Sequence, residues 1–555
     1  MQRRLLLVFL IAASAFGQKP ATELSPAPAS ASGAPDIDSY IQQGWDTLSR
    51  SMADCRSLVD PKVADAPLLY LPAEISTPPD VAALRQHCKV TVLRLPRTIH
   101  HMGEVSVGEI GKPGLLYLPN RYVVPGGRFN EMYGWDSYFI VLGLLQDHRT
   151  ELAQGMVENF FFEIEHYGAV LNANRTYYFT RSQPPLLSSM IRAVYEKQAE
   201  KDPAAAKAWL ARAYGYAERD HKLWISSPHL AEATGLARYD DLGSGPVPEM
   251  ADDSQYYNDV LRWLLAHPDA APGDVLSAPE NPTPEQAIAL AKTSCDVRAS
   301  KVCARAYLDG HRLTSSYYHG DRAMRESGFD TSFRFGPFSG ATEDYAPVCL
   351  NSLLYKYERD MQAFANILGR KAEVAAWGNK ADARRAAIDR YLWHADKGMY
   401  YDYDFVAQRA SSYGYLTTFY PLWAGAASKE QAAAVASHLK TFEHDGGLAM
   451  SDTASGMQWD LPFGWAPTNW FAVSGLAQYG LQTDADRIAN EFMATVRKNF
   501  ALDGTIREKY NMVGGSADVQ VSAGYKSNVV GFGWTNGVYL EMEQMLGHPQ
   551  ITSAK

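Results

Sequence analysis

The sequence lacks several things whose absence narrows its function. After its first dozen residues there is no apolar run long enough to cross a membrane, which excludes a chain threaded through a bilayer by helices. No basic run follows the first few residues, and the formal charge of −10 argues against a nucleic-acid footprint. Cys-x-x-Cys and His-x-x-x-His spacings are missing, so a metal site is the weaker reading of its cysteines. The one Gly-rich loop that stands out has no Gly-Lys-Ser/Thr ending, so it is not a phosphate loop. Strand-like alternation is scarce, and there is no short internal repeat.

What is present is a long chain with material for a large core. Its 555 residues are 46% hydrophobic, and a length prior alone would split them into three or four domains. That prior is weak for helical toroids, which run as one large domain. Helical periodicity recurs along the chain, for instance at Leu186, Leu187, Met190, Ile191, Val194 and Tyr195. Further helices are expected over 204–224, 351–368, 371–393, 429–442, 468–480 and 484–500. Between them lie loops rich in glycine, proline and aromatics. The pattern predicts a closed array of helical hairpins with a site built by loops at one end. The 32 Tyr and 12 Trp suit sugar faces, although a large core needs rings as well.

The N-terminus reads as an export signal over residues 1–17. Arg3 and Arg4 precede an apolar run from Leu5 to Ala12, and Ala13-Ser14-Ala15 follows. This predicts an exported protein, periplasmic or extracellular. Residues 18–35 are rich in Pro, Ala and Ser and read as a disordered linker. Residues 36–555 then form one catalytic domain, with a Pro- and Ala-rich surface insertion near 265–305. The five cysteines, Cys55, Cys88, Cys295, Cys303 and Cys349, leave an odd thiol in any pairing. Cys295 with Cys303 and Cys55 with Cys88 are two possible bridges, and the pairing stays open.

The chemistry concentrates in a few strings. Pro125-Gly126-Gly127-Arg128-Phe129 is followed by Glu131, Tyr133, Trp135, Asp136 and Tyr138, a mix of flat faces and hydrogen-bonding groups that fits a polyol. The full string PGGRFNEMYGWDSY resembles the first fingerprint of the trehalases, glycoside hydrolase family 37, and QWDLPFGWAP (458–467) resembles the second. HYGAVLNANRTYYFTRSQPP, ESGFDTSFRF and GTIREKYN with GFGWTNG agree with the family in order. The resemblance runs over about 115–546 and is poorest at the insertion. It implies an all-α, six-hairpin (α/α)6 toroid. It implies inverting hydrolysis of α,α-trehalose, a small-molecule disaccharide, by a monomer with no metal or organic cofactor.

By the same resemblance Asp330 is the general acid and Glu508 the base, and inversion needs the two carboxyls ~6.5–9.5 Å apart with a water between. Apolar walls around Asp330 favour its protonated form, and Arg507 and Lys509 flank Glu508. The sugar-holding residues carried over are Arg128, Phe129, Trp135, Asp136, Asn172, Arg181, Gln183, Glu249, Gln458 and Trp459. Asp460 and Trp465 read as scaffold.

Three positions depart from the family pattern. Val247-Pro248-Glu249 stands where Arg-Pro-Glu is usual, SAGYKSNVV around Tyr525 lacks an evident Glu, and Cys349 in PVCLN replaces an Asp. These leave three rivals open: hydrolysis of another α-glucoside on the same scaffold, a non-catalytic sugar-binding protein, and a phosphorylase. Retention of both Asp330 and Glu508 weighs against the last two.

Overall fold

A computed structural model describes residues 36–59, 67–250, 254–522 and 527–547. The leader and linker read over residues 1–35, and Tyr525, lie outside the described residues.

The expected helices form, with ends moved by a few residues where caps decide. Asp202 caps helix Pro203–Trp224 by accepting from the Ala204 and Ala205 amides. Gly369 ends helix Val348–Leu368 in the left-handed conformation. The segment expected as one helix over 429–442 divides into Lys429–Ser437 and Leu439–Phe442.

Six helices make the inner ring of an (α/α)6 toroid: Asp136–Gln146, Leu187–Ala199, Val348–Leu368, Tyr420–Ala424, Ala466–Gln478 and Gly533–Gly547. Each packs on the next, and the last packs on the first. Most residues of Asp136–Gln146 and Ala466–Gln478 are buried, as staves covered on all sides must be. The outer helices, such as Thr150–His166, Pro203–Trp224, Lys371–Tyr391 and Gln482–Asp503, bury one face and show charge on the other. The ring closes where Gly143 meets Gly537: a Cβ on Gly143 would lie 2.6 Å from the Gly537 Cα, so only glycine permits this approach. Helix Ile37–Thr47 covers that seam from outside, with Trp45 fully buried and its indole donating to Asp147 over 2.6 Å.

The region around 265–305 belongs to a larger apolar unit than its composition indicated. A second apolar cluster joins Tyr256, Tyr257, Val260 and Leu264 of helix Gln255–Ala266 to Val302, Tyr317, Tyr318 and Phe338. It is cross-linked by Cys295–Cys303, and Val275–Ser277 pairs with His311–Leu313 beside it. Proline-rich composition hid these apolar residues because they flank the stretch on both sides. Cys55–Cys88 is the second disulfide, and Cys349 is a buried free thiol. No helix among the described residues is long and apolar enough to cross a membrane.

Candidate active site

Loops at one end of the ring enclose a cavity of about 370 Å³. All twelve residues singled out in the sequence line it: Asp330, Glu508, Arg128, Phe129, Trp135, Asp136, Asn172, Arg181, Gln183, Glu249, Gln458 and Trp459. They come from six separate stretches of chain, so the toroid supplies their proximity. The first stretch is zipped to the second, with Tyr133 bridged to Ala173 and the Trp135 amide donating to Gln183 over 2.9 Å.

Asp330 is delivered by a helix stop. Helix Ser315–Ser327 ends at Gly328, which is left-handed (φ 78°) and lies so close to Trp135 that a Cβ would come within 3.0 Å of its ring. The chain then turns Asp330 into the cavity. The Gln458 amide donates to the Asp330 carbonyl, and the Trp459 N–H to the Thr331 carbonyl over 3.1 Å. Burial pushes the Asp330 carboxyl up to about 6, against the pull of the Arg325 guanidinium 3.7 Å away.

Glu508 lies on the other side of the chain's register, beside strand Lys509–Asn511, which pairs with Phe463–Trp465. Its amide donates to the Val529 carbonyl, and its own carbonyl accepts from the Trp534 indole over 3.1 Å. Of the two flanking cations only Lys509 reaches the carboxylate, at 3.2 Å, with its ammonium over the Trp465 ring. Arg507 is engaged by Asp503 and the Asn528 carbonyl instead. Asp136 is the third carboxyl of the cavity. Burial raises it well above the usual carboxylate range, and the charges of Glu508 and Asp330 add to the effect.

One wall is built for hydroxyl groups. Arg181 is buried, donates to Asn172 over 3.1 Å and to Glu249 over 2.5 Å, and covers the Tyr178 ring. Burial would raise the Glu249 carboxyl, but Arg181 and Arg325 together hold it below its ordinary value. Arg181 Nη1, Glu249 Oε2 and Gln458 Oε1 are buried with no hydrogen-bond partner among the described residues. The opposite surface is aromatic. Trp135 meets Trp459 and Trp534 at centroid distances of 5.9 and 5.6 Å, and Trp459 is stacked at 3.9 Å on Trp465. Trp465 lies behind the lining, as does Asp460.

Tyr133, noted in the first string, lines the cavity too, and sequence reasoning missed Arg325, Tyr177, Tyr178, Met250, Tyr256, Phe532 and Trp534, which also line it. Most lie inside or beside the strings that carried the resemblance. Arg325 is one helical turn after Asp321, its ion-pair partner at 3.3 Å, and that i,i+4 pairing was a legible signal. Tyr256 and Met250 had none. Arg325 also bears on the first departure. Val247 is buried, its amide donates to the Tyr257 hydroxyl, and it does not line the cavity, whereas Arg325 does. The third departure, Cys349, is balanced too. Cys349 lies 3.4 Å from an Arg334 nitrogen, and Asp402 supplies the countercharge by gripping that guanidinium with two bonds of 2.7 Å.

The trehalase family profile matches residues 57–547. A probable trehalase of Eremothecium gossypii is 34% identical over 530 residues, covering 90% of this chain and 66% of that protein. A cytosolic neutral trehalase of Pyricularia oryzae is 33% identical, covering 89% and 72%. The chain therefore spans about two thirds to three quarters of the length of these relatives. Among solved structures, neutral trehalase Nth1 from Saccharomyces cerevisiae superposes with a TM-score of 0.72 at 32% identity, covering 92% of this chain and 95% of that one. These relatives overturn the expected export. Several are named cytosolic neutral trehalases, a name that conflicts with a signal peptide and a periplasmic or extracellular location. The signal-peptide reading rested on eight apolar residues behind two arginines, a composition too short to be specific.

Proposed function

Because the chain belongs to the trehalase family of glycoside hydrolases, we propose that it hydrolyses α,α-trehalose to two glucose molecules with inversion at the attacked carbon. The observation that carries this reading is the convergence of Asp330 and Glu508 on one cavity with ten sugar-binding candidates. Asp330 gives its proton to the glycosidic oxygen as that bond breaks. Glu508 takes a proton from the water that attacks the anomeric carbon from the opposite face, so each turnover yields one β- and one α-glucose. Arg181, Asn172, Gln183 and Glu249 hold hydroxyls, and Trp135 and Trp459 hold the sugar faces. The rival in which another α-glucoside is the substrate leaned on an arginine missing at Val247 and a glutamate not evident around Tyr525, and Arg325 weakens the first of these grounds.

Purified protein is expected to release glucose from trehalose with at least about 100-fold higher kcat/KM than from maltose or other α-linked disaccharides, because mismatched hydroxyls leave buried polar groups unpaired. Proton NMR during the first minutes should show β- and α-glucose in equal amounts. Release of α-glucose alone, or no hydrolysis by folded protein, rules the reading out.

The acid role predicts a pH profile. Asp330 must be protonated, so kcat/KM is expected to fall about tenfold per pH unit above a midpoint of about 6. Arg325 favours the ionised form of Asp330, so its loss favours the proton. In Arg325→Leu the alkaline limb should move upward by on the order of one pH unit, alongside any loss of rate. An unmoved or lowered limb contradicts this coupling.

A further inference from the structure

The residues around the acid form a loop without regular structure, 329–336, between helix Ser315–Ser327 and the short turn Pro337–Ser339. Such a segment holds one geometry only where other groups grip it. Two grips come from the cavity wall itself: the Gln458 side chain on the Asp330 carbonyl and the Trp459 amide on the Thr331 carbonyl. A third comes from a residue that the cavity does not touch. The Phe333 N–H donates to Asp460 Oδ2 over 2.8 Å.

Asp460 is an odd group to find there. It is fully buried, takes part in no salt bridge among the described residues, and its Oδ1 has no hydrogen-bond partner. Burial raises its carboxyl to about 7, against donors from Ser455, Phe333 and Tyr413 and the more distant charge of Arg334. Burying a carboxyl without an ion-pair partner is costly, and a plain packing position would take a neutral residue. What the carboxyl does is collect two donors at one oxygen. Besides Phe333, the Ser455 hydroxyl donates to Oδ2 over 2.5 Å, and that hydroxyl also accepts from the Met457 amide over 3.1 Å. Met457 leads directly into Gln458. The contacts therefore close a circuit: Asp330 to Phe333 along the chain, across Asp460 to Ser455, on to Gln458, and back to the Asp330 carbonyl.

We propose that Asp460 is a positioning residue for the acid, its Oδ2 clasping the Asp330 loop to the Ser455–Trp459 loop and so fixing where Asp330 stands in the cavity. This rests on the reading of Asp330 as general acid for trehalose. Displacing a reacting group by about 1 Å can cost on the order of 100-fold in rate while the sugar-binding groups stay in place.

The test is steady-state trehalose hydrolysis by the full chain and its variants, with thermal melts and circular dichroism to establish folding. Asp460→Ala, which removes the acceptor, should lose about 30- to 100-fold in kcat with KM within about threefold of wild type. Asp460→Asn keeps one side-chain oxygen for the Phe333 N–H and should recover to within about fivefold of wild type. A folded Asp460→Ala enzyme with wild-type kcat overturns the proposal. So does a rise in KM without loss of kcat, or an Asn variant as impaired as Ala. Should Asp460→Ala not fold, Ser455→Ala decides: several-fold lower kcat at unchanged KM supports the clasp, and a wild-type rate refutes it. A wild-type protein inert toward trehalose instead overturns the functional reading, a result distinct from any of these.

Discussion

Asp330→Asn is expected to lower kcat on trehalose by about 10³-fold, within the range that a positioned general acid supplies. The asparagine has nearly the same shape and cannot donate the proton, so KM should change little. The departing glucose is a poor leaving group until its oxygen is protonated, and this fixes a control. α-Glucosyl fluoride leaves as fluoride without a proton, so the variant should retain activity on it within about tenfold of wild type. Parallel loss on both substrates would show that Asp330 acts in some other way, and a near-normal rate on trehalose would remove it from the mechanism.

Glu508→Gln is expected to lose about 10³-fold or more on both substrates, because the attacking water needs a base whichever group departs. The two variants are therefore separable by substrate. The Glu508 carboxylate pairs at 3.2 Å with the buried Lys509 ammonium, which in the variant loses a charged partner. Breaking a buried pair by neutralising one member is costly, so a lower melting temperature is expected beside the lost turnover. A Glu508→Gln protein that melts as wild type and turns over within tenfold of it would exclude the role as base.

How much of this was legible beforehand differs by level. The helices were, because a stave in a ring must show apolar residues every three or four positions, as in Leu186 to Tyr195. So was the meeting of the twelve candidate residues in one cavity, because nearly all of them came in long, rare strings. Arg325 was passed over because the sequence comparison directed attention to Val247, and a guanidinium can enter a cavity from any element of sufficient reach. Asp460 could be read as scaffold but not as a clasp, since nothing in QWDLPFGWAP shows that its carboxylate meets the Phe333 amide. The export reading failed for the opposite reason: a short apolar octet carries too little information to set against whole-chain relatives.

The meeting of Gly143 with Gly537 carries a consequence for how the protein comes to be active. Neighbouring staves elsewhere in the ring follow one another in chain order, but this pair joins the first stave to the last, with all the other staves between them. Such contacts form late, after the entropy of closing a long loop has been overcome. Phe532 and Trp534 stand at the head of the final stave, and they face Pro125 to Asp136 of the first across the cavity. The pocket is thus completed only where the first and last staves meet. A nascent polypeptide could complete five staves and still present no working pocket, so the appearance of hydrolysis during refolding would time the closing of the ring itself.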